Sequence, residues 1–187
     1  MNIQERKAAA RKTAFAARKQ AHELDRDADA CARLWDYLNT LSGVDCFAGY
    51  MPIRTEISPL PVMERLCAAG KTVCVPVIQG AGMPLHFCRW KPDMEMTEGP
   101  FGARIPLIEE FLDPDVLITP LVAFDANGYR LGYGGGFYDR SFQGLRRMNA
   151  VVGVGFAYDG QELEHLPIEQ TDQKLDAIVT PNRILTF

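Results

Sequence analysis

The sequence predicts an α/β protein in which helices cover both faces of a mostly parallel, open sheet. Strand-like apolar runs alternate with helix-like segments after the first 40 residues, and this alternation is typical of parallel sheets because their strands are joined by crossover helices. The chain has 187 residues, a length that fits one ordinary domain. Proline and glycine are spread along it and no linker divides it, so we expect a single domain over 1–187.

The individual elements follow from local composition. Residues 3–21 are rich in Ala, Lys and Arg and contain no Gly or Pro, which favours a helix by intrinsic propensity. A second helix is predicted over 27–40, and further helical segments over 60–69 and 137–147. Strands are predicted at the apolar runs 45–51, 72–78, 116–119 and 151–156. Residues 85–90 fit an extra strand that can run antiparallel, and 183–187 a short closing strand.

Composition and charge narrow the function class. The chain is 47% hydrophobic and 24% charged with a net charge of −4, as in soluble globular proteins, and this balance gives no reason to expect nucleic-acid binding. Five cysteines without a C-x-x-C pair indicate reduced thiols of a cytoplasmic protein. The charged N-terminus lacks the apolar core of a signal peptide, and no run of 18 apolar residues indicates a membrane span. We expect a cytoplasmic monomer that acts on small molecules, without nucleic-acid or membrane partners.

The most informative segment is 120–140, PLVAFDANGYRLGYGGGFYDR, which has the pattern of a buried strand, a glycine-dense loop and a helix start. Four of five consecutive positions are glycines: Gly132, Gly134, Gly135 and Gly136. Glycine allows several backbone N–H groups to point at one anion, and a helix N-terminus behind the loop adds partial positive charge. Phosphate is the predicted ligand. The P-loop and dinucleotide fingerprints are both absent, and a purely structural turn is the alternative.

Polar residues near this loop extend the predicted site. Asp139 is a candidate magnesium ligand, and Arg140 a candidate partner for phosphate oxygens. Ligands of open parallel sheets bind beyond the carboxyl ends of the strands. Residues 50–56, which end at Glu56, follow the first strand, and the glycine loop follows the strand at 116–119 with its 120–124 extension. We therefore expect one cleft to collect both.

The first helix places three cations, Lys7, Arg11 and Arg18, within an arc of about 40°. Ala14, at the edge of this arc, is small enough for a flat polyanion to rest against the helix. From this segment alone a solvated basic face is the favoured interpretation and an anion-binding face the alternative. An RNA-binding arm is disfavoured because no aromatic residues alternate with the cations.

Other candidate catalytic patterns are absent or weak. The three histidines have no metal-ligand spacing, and Ser141 does not lie in a G-x-S-x-G motif. Asp172 and Asp176 are candidate ligands, with helix capping as the default interpretation.

The segment from Phe124 to Arg140 resembles the signature of the 5-formyltetrahydrofolate cyclo-ligases, also called methenyltetrahydrofolate synthetases. Further matching motifs occur in the family's order: Lys7-x-x-x-Arg11, Glu56, Trp90-x-Pro92, Gly99-Pro100-Phe101-Gly102, Leu166-Pro167 and Asp172-x-x-Leu175-Asp176-x-Ile178-Val179-Thr180. The resemblance covers nearly the whole chain. It implies a Rossmann-like (NagB/RpiA/CoA-transferase-like) fold and a single cyclo-ligase domain.

The resemblance also implies a site, which uses ATP and Mg²⁺ and has no residue assigned as acid or base. The residues implied to bind ATP are Lys7, Arg11, Arg130, Leu131, Gly132, Tyr133, Gly134, Gly135, Gly136, Phe137, Tyr138 and Arg140. The residues implied to bind the reduced folate are Met51, Glu56, Tyr133, Gly134, Gly135, Gly136 and Phe137. The residues implied to hold magnesium are Asp139 and Asp172. Many family members carry Lys where this chain has Gly135, so Lys7, Arg11 and Arg140 are expected to supply that charge.

The activity implied by the resemblance is the ATP-dependent closure of 5-formyltetrahydrofolate to 5,10-methenyltetrahydrofolate, with release of ADP and phosphate. Phosphorylation of the formyl oxygen would activate it for ring closure. A non-catalytic module that binds a nucleotide or a folate on the same fold is the alternative.

Overall fold

A sheet of eight strands forms the centre of the computed structural model, which describes all 187 residues. The α-helices are α1 (Ile3–His22), α2 (Asp27–Leu38), α3 (Leu60–Ala68) and α4 (Phe137–Met148). The first six strands are β1 (Cys46–Ala48), β2 (Thr72–Ile78), β3 (Leu85–Arg89), β4 (Met96–Glu98), β5 (Arg104–Pro106) and β6 (Phe111–Leu112). The last six are β7 (Val116–Pro120), β8 (Ala123–Phe124), β9 (Arg130–Leu131), β10 (Val152–Phe156), β11 (Ala177–Val179) and β12 (Ile184–Thr186).

The strand order of the large sheet is β12-β11-β10-β7-β1-β2-β3-β6. The five central strands from β11 to β2 are parallel to one another. At the edges, β12 pairs antiparallel with β11, β3 pairs antiparallel with β2, and β6 pairs antiparallel with β3. The predicted mostly parallel α/β sheet is therefore confirmed, together with the antiparallel strand at 85–90 and the closing strand. Phe47 of β1 pairs with Val116 of β7, so the carboxyl ends of these two strands lie side by side.

Helices cover both faces of the sheet, as predicted. On one face, Leu34 of α2 and Met63 of α3 pack with Phe47 of β1 in the larger core cluster. On the other face, Phe142 of α4 packs in a second cluster with Ala48, the neighbour of Phe47 along the same strand. Successive side chains of a strand point to opposite faces, which explains why β1 contributes to both cores. Complete burial of each large apolar side chain stabilises the fold by roughly 1.5–3 kcal/mol.

Helix α1 lies outside the two main layers. The Asn2 side chain accepts a hydrogen bond from the backbone N–H of Glu5, and the Glu5 side chain accepts one from the backbone N–H of Asn2, so a capping box begins the helix. Ala14 is fully buried against the β8–β9 hairpin, and Lys7 and Arg18 are also buried. The prediction of a solvated basic face is therefore wrong, and so is the expectation that Ala14 offers an open platform, because protein covers it.

The route from β7 to the glycine loop also differs from the prediction of one strand opening into the loop. The chain leaves the large sheet at Pro120 and forms the separate β8–β9 hairpin before it reaches the glycines. The turn of this hairpin is held by Asp125, whose Oδ1 accepts hydrogen bonds from the N–H groups of Asn127 and Tyr129. Gly128 then adopts a φ of +86°, which glycine tolerates without strain. The Asp-x-Asn-Gly sequence was the available turn signal.

Four further strands were absent from the prediction. Strands β4 and β5 form a small hairpin, β6 extends the large sheet next to β3, and β11 extends it next to β10. Helix capping by Asp172 or Asp176, the default interpretation, is wrong because neither lies at a helix terminus. Asp176 instead accepts hydrogen bonds from Arg146 and from the N–H of Gly153. None of the helices combines the length and the apolar character that crossing a lipid bilayer requires.

A candidate substrate-binding cleft

A cavity of about 810 Å³ opens at the carboxyl ends of the parallel strands. Its volume lies in the upper part of the range for pockets that bind small molecules, about 300–1,000 Å³. Both Glu56, beyond β1, and the glycine loop, beyond β7 and the β8–β9 hairpin, line it. The predicted site residues in its wall are Lys7, Arg11, Met51, Glu56, Arg130, Leu131, Gly132, Tyr133, Gly134, Gly135, Gly136, Phe137, Tyr138, Asp139, Arg140 and Asp172. The structure thus brings every one of them together.

The glycine loop presents a row of unpartnered backbone donors. The N–H groups of residues 132–136 donate to no acceptor within the protein. Gly134 and Gly136 have φ values of +108° and +66°, which turn the chain so that helix α4 begins at Phe137. Consecutive free N–H groups followed by a helix N-terminus form a site for an anion. The loop therefore has the geometry that phosphate recognition requires.

Two arginines flank this loop from opposite sides. Arg11 donates from Nε to the carbonyl of Gly132 over 2.8 Å, and a Cβ at Gly134 would lie only 3.2 Å from its Nη2. Arg140 donates from Nη2 to the carbonyl of Gly135 over 2.6 Å. Positive charge is thus present on both sides of Gly135 without a lysine in the loop. A side chain at Gly135 would meet the Phe137 ring 2.5 Å from its Cβ.

Lys7 lies at the edge of the cavity in a network with two carboxylates. Its Nζ lies 2.8 Å from Glu169 Oε2 and 2.8 Å from Asp172 Oδ2. Burial lowers the pKa of Lys7, but the hydrogen bonds to Asp172 and Glu169 outweigh burial, so the pKa is raised. The ammonium group is therefore charged, but it is already paired with Glu169 and Asp172. A phosphate would have to replace a carboxylate to bind it.

Arg130 is a buried residue that ties Asp139 to the segment at residues 172–173. Its Nη2 donates to Asp139 Oδ1 over 2.9 Å and its Nη1 to the carbonyl of Gln173 over 2.7 Å. Burial lowers the pKa of Arg130, while Asp139 opposes this effect. Both terminal nitrogens contact protein groups, so the guanidinium holds Asp139 and the 172–173 segment together. Leu131, similarly, buries its side chain in the cluster under α1.

The two predicted magnesium ligands, Asp139 and Asp172, differ in how many of their carboxylate oxygens are free of hydrogen bonds. Both oxygens of Asp172 accept hydrogen bonds from Lys7, whereas Asp139 uses only Oδ1 within the protein and keeps Oδ2 open. No group of three or more His, Cys, Asp or Glu side chains forms a cage for a metal ion. Magnesium commonly binds through one or two carboxylates together with phosphate oxygens and water. Asp139 therefore fits a magnesium ion that arrives with a nucleotide, and Asp172 would first have to release Lys7.

Glu56 is a buried carboxylate in the wall of the cavity. Its Oε2 accepts a hydrogen bond from the N–H of Ile53 over 2.9 Å, and only 6% of the residue is exposed. Burial raises the pKa of Glu56, and the Ile53 N–H and the nearby Arg18 guanidinium offset part of that rise. Met51 precedes it on the same loop. A buried carboxylate with one oxygen directed away from its backbone partner suits a ligand that offers N–H donors.

Sequence reasoning missed several residues around the cleft. Glu169 pairs with Lys7 from a distant loop, and no sequence signal pointed to it. Arg104, at the β4–β5 hairpin, also lines the cavity, and so does Phe101, which belongs to a matched motif but had no assigned role. Arg18 was identified on the same helix face as Lys7 but was not assigned to the site. Its position on the same helix face as Lys7 and Arg11 could have predicted that it lies near the site.

The model of the family described as "5-formyltetrahydrofolate cyclo-ligase family" matches residues 3–181. The 5-formyltetrahydrofolate cyclo-ligase of Escherichia coli (strain K12) is 40% identical over 148 residues, which cover 73% of this chain and 78% of that protein. The protein of the same name from Haemophilus influenzae is 38% identical over 132 residues, covering 67% and 70%. The solved structure of Aquifex aeolicus 5,10-methenyltetrahydrofolate synthetase superimposes with a TM-score of 0.77 at 28% identity, covering 96% of this chain and 92% of that one.

Proposed function

The chain belongs to the 5-formyltetrahydrofolate cyclo-ligase family, and we propose that its cleft converts 5-formyltetrahydrofolate to 5,10-methenyltetrahydrofolate with ATP and Mg²⁺, releasing ADP and phosphate. The observation that carries the proposal is that two chemically different sets of groups line one cavity. The first set is the free backbone N–H groups of the glycine loop with Arg11, and the second is the buried carboxylate of Glu56. The first set suits a triphosphate and the second a folate ring.

The chemistry requires activation of a poor leaving group. The oxygen of the formamide attacks the γ-phosphorus, the bond to ADP breaks, and an iminium phosphate results. The aniline nitrogen of the folate then attacks the activated carbon, closes the five-membered ring and loses its proton, and phosphate departs. Such phosphoryl transfer depends mainly on positioning and on neutralising charge. Holding the formyl oxygen in line with the γ-phosphate is worth up to about 7–11 kcal/mol.

We assign the nucleotide end as follows. The N–H groups of the glycine loop and the guanidinium groups of Arg11 and Arg140 bind the triphosphate. Lys7 joins them by exchanging a carboxylate for a phosphate oxygen, because both groups satisfy an ammonium. Asp139, whose Oδ2 makes no hydrogen bond, would hold the magnesium ion that accompanies ATP, and Arg130 keeps that carboxylate in place.

At the folate end, Glu56 hydrogen-bonds the pterin and so fixes the formyl group, while Met51, Tyr133 and Phe137 contact the rings. None of these residues acts as an acid or a base. Glu56→Gln retains the size of the side chain and removes its charge, and is therefore expected to raise the KM for the folate far more than the KM for ATP. An unchanged folate dependence would contradict this role.

The decisive experiment incubates the purified protein with 5-formyltetrahydrofolate, ATP and Mg²⁺ and follows the near-ultraviolet absorbance of the methenyl product. Growth of this absorbance only when ATP is present, together with stoichiometric phosphate release, is the expected result. A protein that binds both ligands but forms no product would be a binding module and would refute the proposal.

The proposal includes a monomer that works in the cytoplasm. One chain supplies every residue of the cleft, which supports a monomer, and the five cysteines are free thiols, as is typical of reducing compartments. Light scattering at assay concentrations tests the first point, with a single-chain mass as the expected result.

A further inference from the structure

Arg18 is the most unusual buried group outside the assigned site. Its side chain is only 1% exposed, and its Nη1 is the only buried side-chain nitrogen or oxygen in the structure without a hydrogen-bond partner. An unsatisfied donor on a buried charged group is costly to stability, and such exceptions are rare in folded proteins. A residue retained at that cost requires an explanation other than packing.

The contacts of Arg18 connect the two walls of the cleft. Its Nε donates to Thr55 Oγ1 over 3.1 Å and its Nη2 to the Tyr133 hydroxyl over 2.9 Å. The free Nη1 lies 3.8 Å from Glu56 Oε1, too far for a hydrogen bond. Thr55 and Glu56 belong to the loop after β1, and Tyr133 belongs to the glycine loop. Arg18 itself does not line the cavity.

We propose that Arg18 is a positioning residue for the reduced folate, acting through Glu56 and Tyr133. When folate occupies the cleft, the free Nη1–H closes onto Glu56 Oε1 and fixes the carboxylate in the orientation that holds the pterin. Hydrogen bonds of functional groups are often long in unliganded proteins and shorten on binding. The inference rests on the proposed function, since it assumes that Glu56 contacts a folate.

The planar guanidinium is essential to this arrangement. Three of its nitrogens point in fixed directions, one each toward Thr55, Tyr133 and Glu56, and a lysine ammonium cannot reproduce that fork. The positive charge has a second effect, because it lowers the pKa of Glu56 against the larger effect of burial. Arg18 therefore sets both the orientation of Glu56 and the pH range in which it is ionised.

Arg18→Met removes the charge and the donors but keeps an unbranched apolar stem, and Arg18→Lys keeps only the charge. Lys19→Met changes the neighbouring exposed cation on the same helix and is the matched control. The measurements are the Kd of 5-formyltetrahydrofolate by calorimetry without ATP, the KM of ATP, and folate affinity as a function of pH. Thermal melts of every variant report folding.

We expect Arg18→Met to weaken folate binding by about 10-fold to 100-fold, the range for a lost hydrogen bond to a charged group, with little change in the KM of ATP. The pH below which folate affinity falls should move upward in Arg18→Met and stay near the wild-type value in Arg18→Lys. In a Glu56→Gln background, Arg18→Met should weaken folate binding by less than it does in the wild type, because only the contact with Tyr133 remains to be lost. If Arg18→Met does not fold, Arg18→Lys carries the test, with weakened folate binding at an unchanged pH profile.

A purely structural role predicts a different set of results, and each would overturn the proposal: equal losses for folate and ATP, an unshifted pH profile in Arg18→Met, or additive effects with Glu56→Gln. Product formation by the wild-type protein decides the proposed function separately. A wild type that binds folate without forming product would refute that function, while the folate affinities of the variants would still decide the role of Arg18.

Discussion

Gly134→Ala tests the idea that the backbone of the glycine loop is the phosphate site. Gly134 has a φ of +108°, and an added Cβ would lie 3.2 Å from Arg11 Nη2 and 3.3 Å from its Cζ. The first feature strains the backbone of any L-residue. The second pushes against a guanidinium that is already tied to the carbonyl of Gly132. The substitution therefore disturbs the N–H groups and their neighbouring cation without removing any polar group.

The magnitude follows from the backbone strain. A non-glycine residue in such a conformation costs about 1–3 kcal/mol. If the loop keeps its shape, this cost lowers the free energy of unfolding; if the loop relaxes, nucleotide binding must restore the shape and ATP affinity falls. The two losses together should amount to about 1–3 kcal/mol. Expressed entirely in binding, this is roughly a 5-fold to 150-fold rise in the KM of ATP, since 1.4 kcal/mol corresponds to a factor of ten.

The assay combines the KM of ATP, from the absorbance of the methenyl product, with urea unfolding of the same preparation. Gly144→Ala is the matched control, because Gly144 lies on the exposed side of α4, has no atom within 4 Å of an added Cβ and has no positive φ. Helix propensity predicts that this control gains about 0.5–1 kcal/mol of stability. Gly134→Ala with both its KM for ATP and its unfolding free energy at wild-type values would refute the argument.

Three further predictions concern charged groups of the cleft. Arg11→Gln should raise the KM of ATP by about 10-fold to 100-fold and leave the KM of the folate nearly unchanged. Equal rises of the two KM values in steady-state kinetics would contradict the assignment of Arg11 to the nucleotide site. Asp139→Asn should raise the Mg²⁺ concentration for half-maximal rate by about tenfold, measured by Mg²⁺ titration against Glu164→Gln, an exposed carboxylate elsewhere. Burial raises the pKa of Glu56 above its ordinary value of 4.5, so the native state keeps this proton at pH values at which the unfolded chain has lost it. The free energy of unfolding of the wild type should therefore fall, relative to that of Glu56→Gln, as the pH rises above 4.5. Urea unfolding from pH 4 to pH 7 checks this, and a difference independent of pH would contradict it.

The parts of the structure that sequence could predict are those in which local pattern and geometry agree. The apolar runs of β2 and β7 and the helix-forming stretch of α1 specify their own conformations. The rule that parallel strands end at one edge then places Glu56 and the glycine loop in one cleft, as the structure shows. Glycine density indicated where the backbone turns sharply, because Gly134 and Gly136 need positive φ.

The partners of charged side chains could not be predicted in the same way. Lys7 pairs with Glu169, 162 residues away, and Arg18 of α1 approaches Glu56 in the loop after β1. Such pairs depend on tertiary packing, and a helical wheel contains no information about it. The wheel grouped Lys7 and Arg18 correctly but assigned their face to water, whereas Ala14 between them packs closely against a hairpin. The small residue that suggested an open surface is in fact the site of contact.

The docking of α1 connects the glycine loop with the loop after β1. Lys7 and Arg18 are eleven residue steps apart on one helix, about 16 Å at 1.5 Å per residue. Lys7 contacts Asp172, Arg11 contacts the glycine loop, and Arg18 contacts Thr55 and Tyr133. A helix is a stiff spacer, and Ala14, held between Arg11 and Arg18 by the β8–β9 hairpin, fixes its rotation. A rotation by one residue, about 100°, would turn all three cations away from their present partners at once. In the proposed reaction the γ-phosphate must lie in line with the formyl oxygen. A single helix that contacts the surroundings of both groups sets their separation more tightly than two independent loops could.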